Sequence, residues 1–196
     1  MKTLHTIGHS TYKIDDFLAL LQKNKINTIV DVRSIPYSKF ASQYNREYLK
    51  AYLRENNIYY IFMGDLLGAK YDDESLLFDS GRVDFKRVQK TLFFTEGISR
   101  LEKGLNQDYS ISLMCSEKEA FDCHRFGLIS EYIDKNLDGI EIKHIYPNEI
   151  LSQKDLESRL IKKYDKYIDY LELNTHKSPL EQAYVFRNQD IGYEPI

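Results

Sequence analysis

Tryptophan is absent from this sequence, and 196 residues contain only two cysteines and four prolines. Two cysteines exclude a disulfide-dense scaffold. The stretch Met1-Lys-Thr-Leu-His-Thr-Ile-Gly8 has no apolar leader core, so a cytoplasmic protein with reduced thiols is expected. No apolar run approaches membrane-spanning length, and no membrane partner is expected. Neither sign of charge dominates: 27 Lys and Arg against 30 Asp and Glu leave a net charge of -3, which gives no support for nucleic-acid binding. A fold can still focus a few arginines into a local basic pocket. The patterns GxGxxG and GxxxxGK(S/T) are missing, so neither the dinucleotide fingerprint nor the phosphate-binding P-loop is supported, and no cofactor is expected. Internal repeats, low-complexity segments and interdomain linkers are missing too.

What is present is an ordinary globular composition, 42% apolar and 29% charged, long enough for one domain with a sizeable core. Apolar runs at Leu4–Ile7, Thr28–Val32, Ile58–Met63, Ile111–Cys115 and from Ile140 read as strands. Between them lie helical periods. Ile14, Phe17, Leu18 and Leu21 form one stripe, and Tyr48, Leu49, Tyr52 and Leu53 are read as a second buried face. Helical segments are expected over Phe85–Lys103 and from near Cys123, where Leu128, Ile129, Tyr132 and Ile133 point inward and Gly139 follows as a stop. Ser152 with Asp155 and Ser178-Pro179-Leu-Glu181 both match capping boxes. Strand–helix alternation at this spacing predicts an α/β fold: a mostly parallel sheet with helices on both faces, three layers, plus C-terminal helices. Residues 1–172 are read as a single domain and 173–196 as a helical appendage packed on it.

In such sheets ligands bind outside the carboxyl ends of the strands. Four polar segments share that address: Gly8-His9-Ser10, Asp31-Val-Arg33, Gly64-Asp65 to Gly68, and Cys115 to Arg125. The last is the densest, with both cysteines, Glu117, His124 and Arg125 inside eleven positions. Each has a functional and a bland reading. Cys115 is a nucleophile or metal ligand, or a small hydrophobe at a strand end. Glu117 is a general acid or base, or a solvated loop acid. Cys123 and His124 fit metal binding in type, but their spacing from Cys115 is not that of a CxxC pair. Arg125 and Arg33 suit an anion, or pair with Asp122, Glu117, Asp31 or Asp65. His9 touches a ligand or is a hydrogen-bonded loop group. Gly8, Gly64 and Gly68 can be simple turn residues. His5, His144 and His176 are read as structural or surface groups, and Tyr48, Tyr52 and Tyr59 as the edge of the core. A strand, cysteine, loop, arginine and helix also occur in cysteine-phosphatase and rhodanese sites, but the loop from Cys115 to Arg125 is longer than theirs.

Thr6-Ile-Gly-His-Ser10, Asp31-Val-Arg33 with Pro36 and Ser38, Leu67-Gly68, and Met114-Cys-Ser-Glu117 with Cys123-His-Arg125 together resemble the domain-of-unknown-function 488 family. The resemblance spans roughly Thr6 to Ile145; Ala69 stands where the family pattern often has a second glycine. It implies an α/β fold, a cytoplasmic protein and no particular reaction. It marks as the functional set Cys115, Glu117 and His9 as catalytic candidates. Gly8, Ser10, Asp31, Arg33, Ser38, Gly68, Cys123, His124 and Arg125 are the ligand-binding ones. The leading expectation is an enzyme acting on a small anionic ligand, nucleotide-like or otherwise phosphorylated. Arg33 and Arg125 would hold the anion, His9 and Glu117 would move protons, and Cys115 would be nucleophile or orienting group. The alternatives are a non-catalytic module for an anionic ligand or a partner protein, and a metal-stabilised fold using Cys115, Cys123 and His124.

Overall fold

The structure, a computed structural model, describes residues 1–171 and 177–195. Its frame is one sheet. In chain order the elements are β1 (Lys2–Gly8), α1 (Ile14–Lys23), β2 (Thr28–Asp31), α2 (Arg46–Glu55), β3 (Tyr59–Phe62), α3 (Gly64–Leu67), α4 (Phe85–Val88), α5 (Leu92–Asn106) and β4 (Ile111–Cys115). There follow α6 (Glu131–Asn136), β5 (Ile140–Ile145), β6 (Ile150–Ser152), α7 (Gln153–Tyr164) and α8 (Pro179–Ile191). The six strands lie in the order β3-β2-β4-β1-β5-β6. β1 to β5 run parallel, and β6 is antiparallel to β5. This is the expected α/β fold.

The central strands β2 and β4 are buried along their whole length, as parallel strands covered on both faces must be. Their side chains alternate between two cores. Ile29 and Met114 face α1 and α2, meeting Phe17, Leu21, Leu49 and Leu53. Val30 and Leu113 face the other side, with Ile98 and Leu101 of α5 and Ile133 of α6. A third core joins α7 and α8 to Phe121 and Phe126. Both capping boxes form, at Ser152–Asp155 and Ser178–Glu181, each box satisfying donors at its helix start.

Several sequence expectations are corrected. In α2 only Leu49 and Leu53 are buried; Tyr48 is 55% exposed, because the stripe that meets the sheet is narrower than the apolar run. Tyr59, on the edge strand, is likewise open to solvent. The segment after β3 is a helical turn, α3, rather than a loop. The helical stretch from Phe85 breaks at Gln89–Thr91, and Thr91 caps α5 through its hydroxyl. The helix after Cys123 opens as a π-helix, Arg125–Ser130, before tightening into α6. β6 carries no sequence signal of its own. His144 is fully buried, and His176 lies outside the described residues.

Candidate functional site

Because β4 lies between β1 and β2, Cys115 at its end is flanked by Gly8 and by the segment after Asp31. The chain beyond Cys115 crosses the end of β1, where His9 and Ser10 donate their backbone N–H groups to the carbonyls of Cys115 and Ser116. Only glycine permits this crossing at position 8: a Cβ there would lie 1.9 Å from the Glu117 carbonyl oxygen. A short 3-10 turn, Ala120–Asp122, then folds the loop back, and Cys123 and His124 arrive beside Cys115.

Four reactive side chains meet here. The Cys115 and Cys123 sulfurs each lie 3.7 Å from Nδ1 of His124, and Cys123 Sγ is 3.2 Å from a Glu117 carboxylate oxygen. Nε2 of His124 donates to the Val32 carbonyl at 3.1 Å, which leaves Nδ1 turned toward the sulfurs. Cys115, Cys123 and His124 are buried; Glu117 sits at the mouth with its carboxyl turned inward. Burial pushes the Cys115 thiol up, and the neighbouring Cys123 adds to this. Burial opposes ionisation of Cys123 as well, but the hydrogen bond from Cys115 and the charges of Arg125 and His124 outweigh it, so Cys123 is the acidic thiol of the pair. Burial, then Cys123, raises the Glu117 carboxyl.

These groups line a cavity of about 280 Å³. Its other walls are Arg33, Ser34 and Ile35 after β2, Ala69 and Lys70 after α3, Phe85 of α4, and Ile191 and Tyr193 from the C-terminal segment. Sequence reasoning missed Ser34 and Lys70. Ser34 Oγ accepts from the backbone of both Ala69 and Lys70 and so ties two walls together. Gly68 allows the same approach, since a Cβ there would stand 2.4 Å from Ser34 Oγ.

The remaining sequence candidates stand behind the wall. Arg125 is 1% exposed and does not line the cavity; its two terminal nitrogens donate to the carbonyls of Glu117 and Lys118 at 2.7 and 3.0 Å. It is a clamp on the loop, not an open anion fork. Arg33 reaches the cavity with most of its donors committed. It grips Asp31 through Nε (2.9 Å) and Nη2 (2.6 Å), donates to the Tyr44 carbonyl (2.8 Å), and gives an Nη1 proton to Nε2 of His9 (3.0 Å). Asp31 is fully buried and also accepts from Tyr60. His9 donates Nδ1–H to the Ser10 carbonyl and stacks on Tyr44, with ring centroids 4.1 Å apart. Burial, and then Arg33, pull its pKa down to about 4, so His9 is neutral and serves to position Arg33. Ser38 Oγ accepts from Phe40 and Ala41 in a turn of its own. Gly8, Ser10 and Ser38 do not line the cavity.

No curated protein and no solved structure matches this chain. The family model described as domain of unknown function DUF488 matches residues 13–133. That segment runs from the start of α1 into α6 and contains the whole loop from Cys115 to Arg125. Since the match covers more than half of the chain, the protein belongs to the DUF488 family.

Proposed function

We propose that this chain is an enzyme acting on a small phosphate-bearing ligand in the cavity at the carboxyl edge of the sheet. One observation carries the reading. Cys123, His124 and Glu117 face the same cavity as Lys70 and Arg33, so reactive groups and cations meet in one small space. Arg33 is largely neutralised by Asp31, so Lys70 supplies the free positive charge. Its ammonium rests 5.0 Å from the ring centroid of Tyr193. The two acids on the wall do not repel an anion at full strength. Asp122 is paired with Arg187, and the Glu117 carboxyl is held above its ordinary range by burial. The volume suits a ligand of mononucleotide size or smaller.

The test is a thermal-shift series with inorganic phosphate, nucleoside monophosphates and sugar phosphates, followed by turnover assays on whatever stabilises. Stabilisation at millimolar levels that disappears in Lys70→Ala is the expected result. If no phosphate compound shifts the melting temperature, or if Lys70→Ala keeps the full shift, the reading is wrong. Binding without turnover would make the chain a non-catalytic module.

A further inference from the structure

We infer that Cys115, Cys123, His124 and Glu117 form a binding site for one zinc ion. Their four donor atoms all lie within 4.8 Å of one another. Zinc–sulfur bonds of ~2.3 Å and zinc–nitrogen or –oxygen bonds of ~2.1 Å give a tetrahedron with S···N and S···O edges of about 3.6 Å. The edges here are 3.7 Å for both sulfurs to Nδ1 and 3.2 Å from Cys123 to Glu117. The cage therefore has the size of the ion's coordination shell.

Three further features fit. Nε2 of His124 is fixed by the Val32 carbonyl, the outer hydrogen bond that presents the other ring nitrogen to a metal. Two thiolates and an imidazole favour zinc over magnesium or calcium, which prefer oxygen. The charge also closes: two thiolates and a carboxylate around a divalent cation leave one negative charge, and buried Arg125, which follows His124 and donates to the Glu117 carbonyl at 2.7 Å, sits beside them. The sequence offered Cys115, Cys123 and His124 as one alternative metal set; the 3-10 turn Ala120–Asp122 returns the chain to Cys115 without a CxxC step and adds Glu117 to it. The two cysteines are buried, His124 is 9% exposed, and Glu117 stands on the open side. Four protein donors fill a tetrahedral zinc shell, and only displacement of Glu117 on its open side would free a position for a ligand. The use of the metal in turnover rests on the enzyme reading above; its binding does not.

The test is an anaerobic titration of the full, phosphine-reduced chain with cobalt(II), followed by zinc. Thiolate-to-cobalt charge transfer and intense tetrahedral d–d bands should saturate at one ion per chain and be bleached by one equivalent of zinc. Cys123→Ser and Cys115→Ser should weaken binding by more than the roughly 10–100-fold typical of losing a ligand's hydrogen-bond partner. Glu117→Ala, at the exposed mouth and safest for folding, should keep the charge-transfer band with an altered d–d envelope. A folded wild-type chain without that band overturns the site, and so does full-affinity binding in either folded cysteine variant. An unchanged envelope in Glu117→Ala removes Glu117 from it. The phosphate thermal-shift series reads independently: cobalt binding without a phosphate shift sinks only the ligand reading, and the converse sinks only the zinc site.

Discussion

At position 8 a single hydrogen in place of a methyl group decides whether the reactive loop can lie across β1. With only 1.9 Å between a would-be Cβ and a backbone oxygen, the strand or the loop must move. Gly8→Ala is expected to lower stability by about 3 kcal/mol, the upper end of overpacking costs, measured by the denaturant midpoint. A loss below about 1 kcal/mol would mean the loop yields easily. Arg125 acts at the same place through hydrogen bonds, so it belongs to the loop's architecture rather than to ligand binding. His144 shows a third kind of residue-scale control. It accepts from Thr6 Oγ1 and donates to Gln153 Oε1, and burial is the main reason its pKa falls to about 4. The unfolded state takes up the proton near pH 6.5 and the folded state only near 4, so this contribution is complete above 6.5 and is lost as pH falls toward 4. At full extent it is about 3 kcal/mol. His144→Gln should therefore lose less stability than the wild type between pH 6.5 and 4.5 in urea melts. Equal losses would show that His144 does not govern acid sensitivity.

Among the elements, α8 is held by side chains that reach across to other parts of the chain. Asn188 accepts from the Phe85 backbone N–H at 2.7 Å and donates to the Val83 carbonyl at 2.8 Å. Arg187 donates to the Phe121 carbonyl, pairs with Asp122 and packs over the Phe121 ring. Asn188→Ala strands two buried backbone groups and should cost about 1–3 kcal/mol. Faster amide exchange at Phe85 would locate the damage, and unchanged protection there would contradict it. These links also explain what could be read without a structure. The strands were legible because β2 and β4 are apolar on both faces, and the capping boxes because Ser178 and Glu181 speak to each other across three residues. The shared address at the carboxyl edge followed from strand order rules alone. The partners of Arg33 were narrowed to Asp31 or Asp65, and local geometry chose Asp31. Arg125 misled, because the carbonyls it holds belong to a loop whose path is set by Gly8, more than a hundred residues away. Tyr48 misled because an aromatic beside a leucine stripe looks buried until the width of the helix contact is known. Glu117 joining Cys123 needed the return of the chain at Ala120–Asp122, which three residues of ordinary composition do not announce.

For the molecule as a whole, the segment after residue 176 completes the wall of the cavity as well as the third core. Ile191 and Tyr193 line it together with Cys123 and Glu117, while Ala183 and Tyr184 pack with Phe126 and Leu160. Removing residues 177–196 uncovers that core and leaves the Val83 backbone N–H without the Tyr193 carbonyl it donates to. Losing the burial of two or three large side chains costs on the order of 5 kcal/mol, enough to lower the melting temperature by about 10–20 °C in a chain of this size. Phosphate stabilisation should vanish along with it. A truncated chain that melts as the full one does would show that the cavity and the core are closed by the rest of the fold alone.

The π-helix at Arg125–Ser130 gives the site a dependence on counting. Glu131 donates past the usual carbonyl to the one of Phe126, so this turn holds one residue more than an α-helical turn would. Each residue of an α-helix turns the chain by about 100°, so deleting Gly127 would let the segment relax into an ordinary helix and swing Cys123 and His124 around its axis relative to α6. Every reactive side chain would still be present, and none would face the same neighbour. The site is thus written partly as a frame, like a reading phase in the backbone. Deleting Gly127, which carries no reactive group but donates its backbone N–H to the Cys123 carbonyl, should erase it more completely than many substitutions within it.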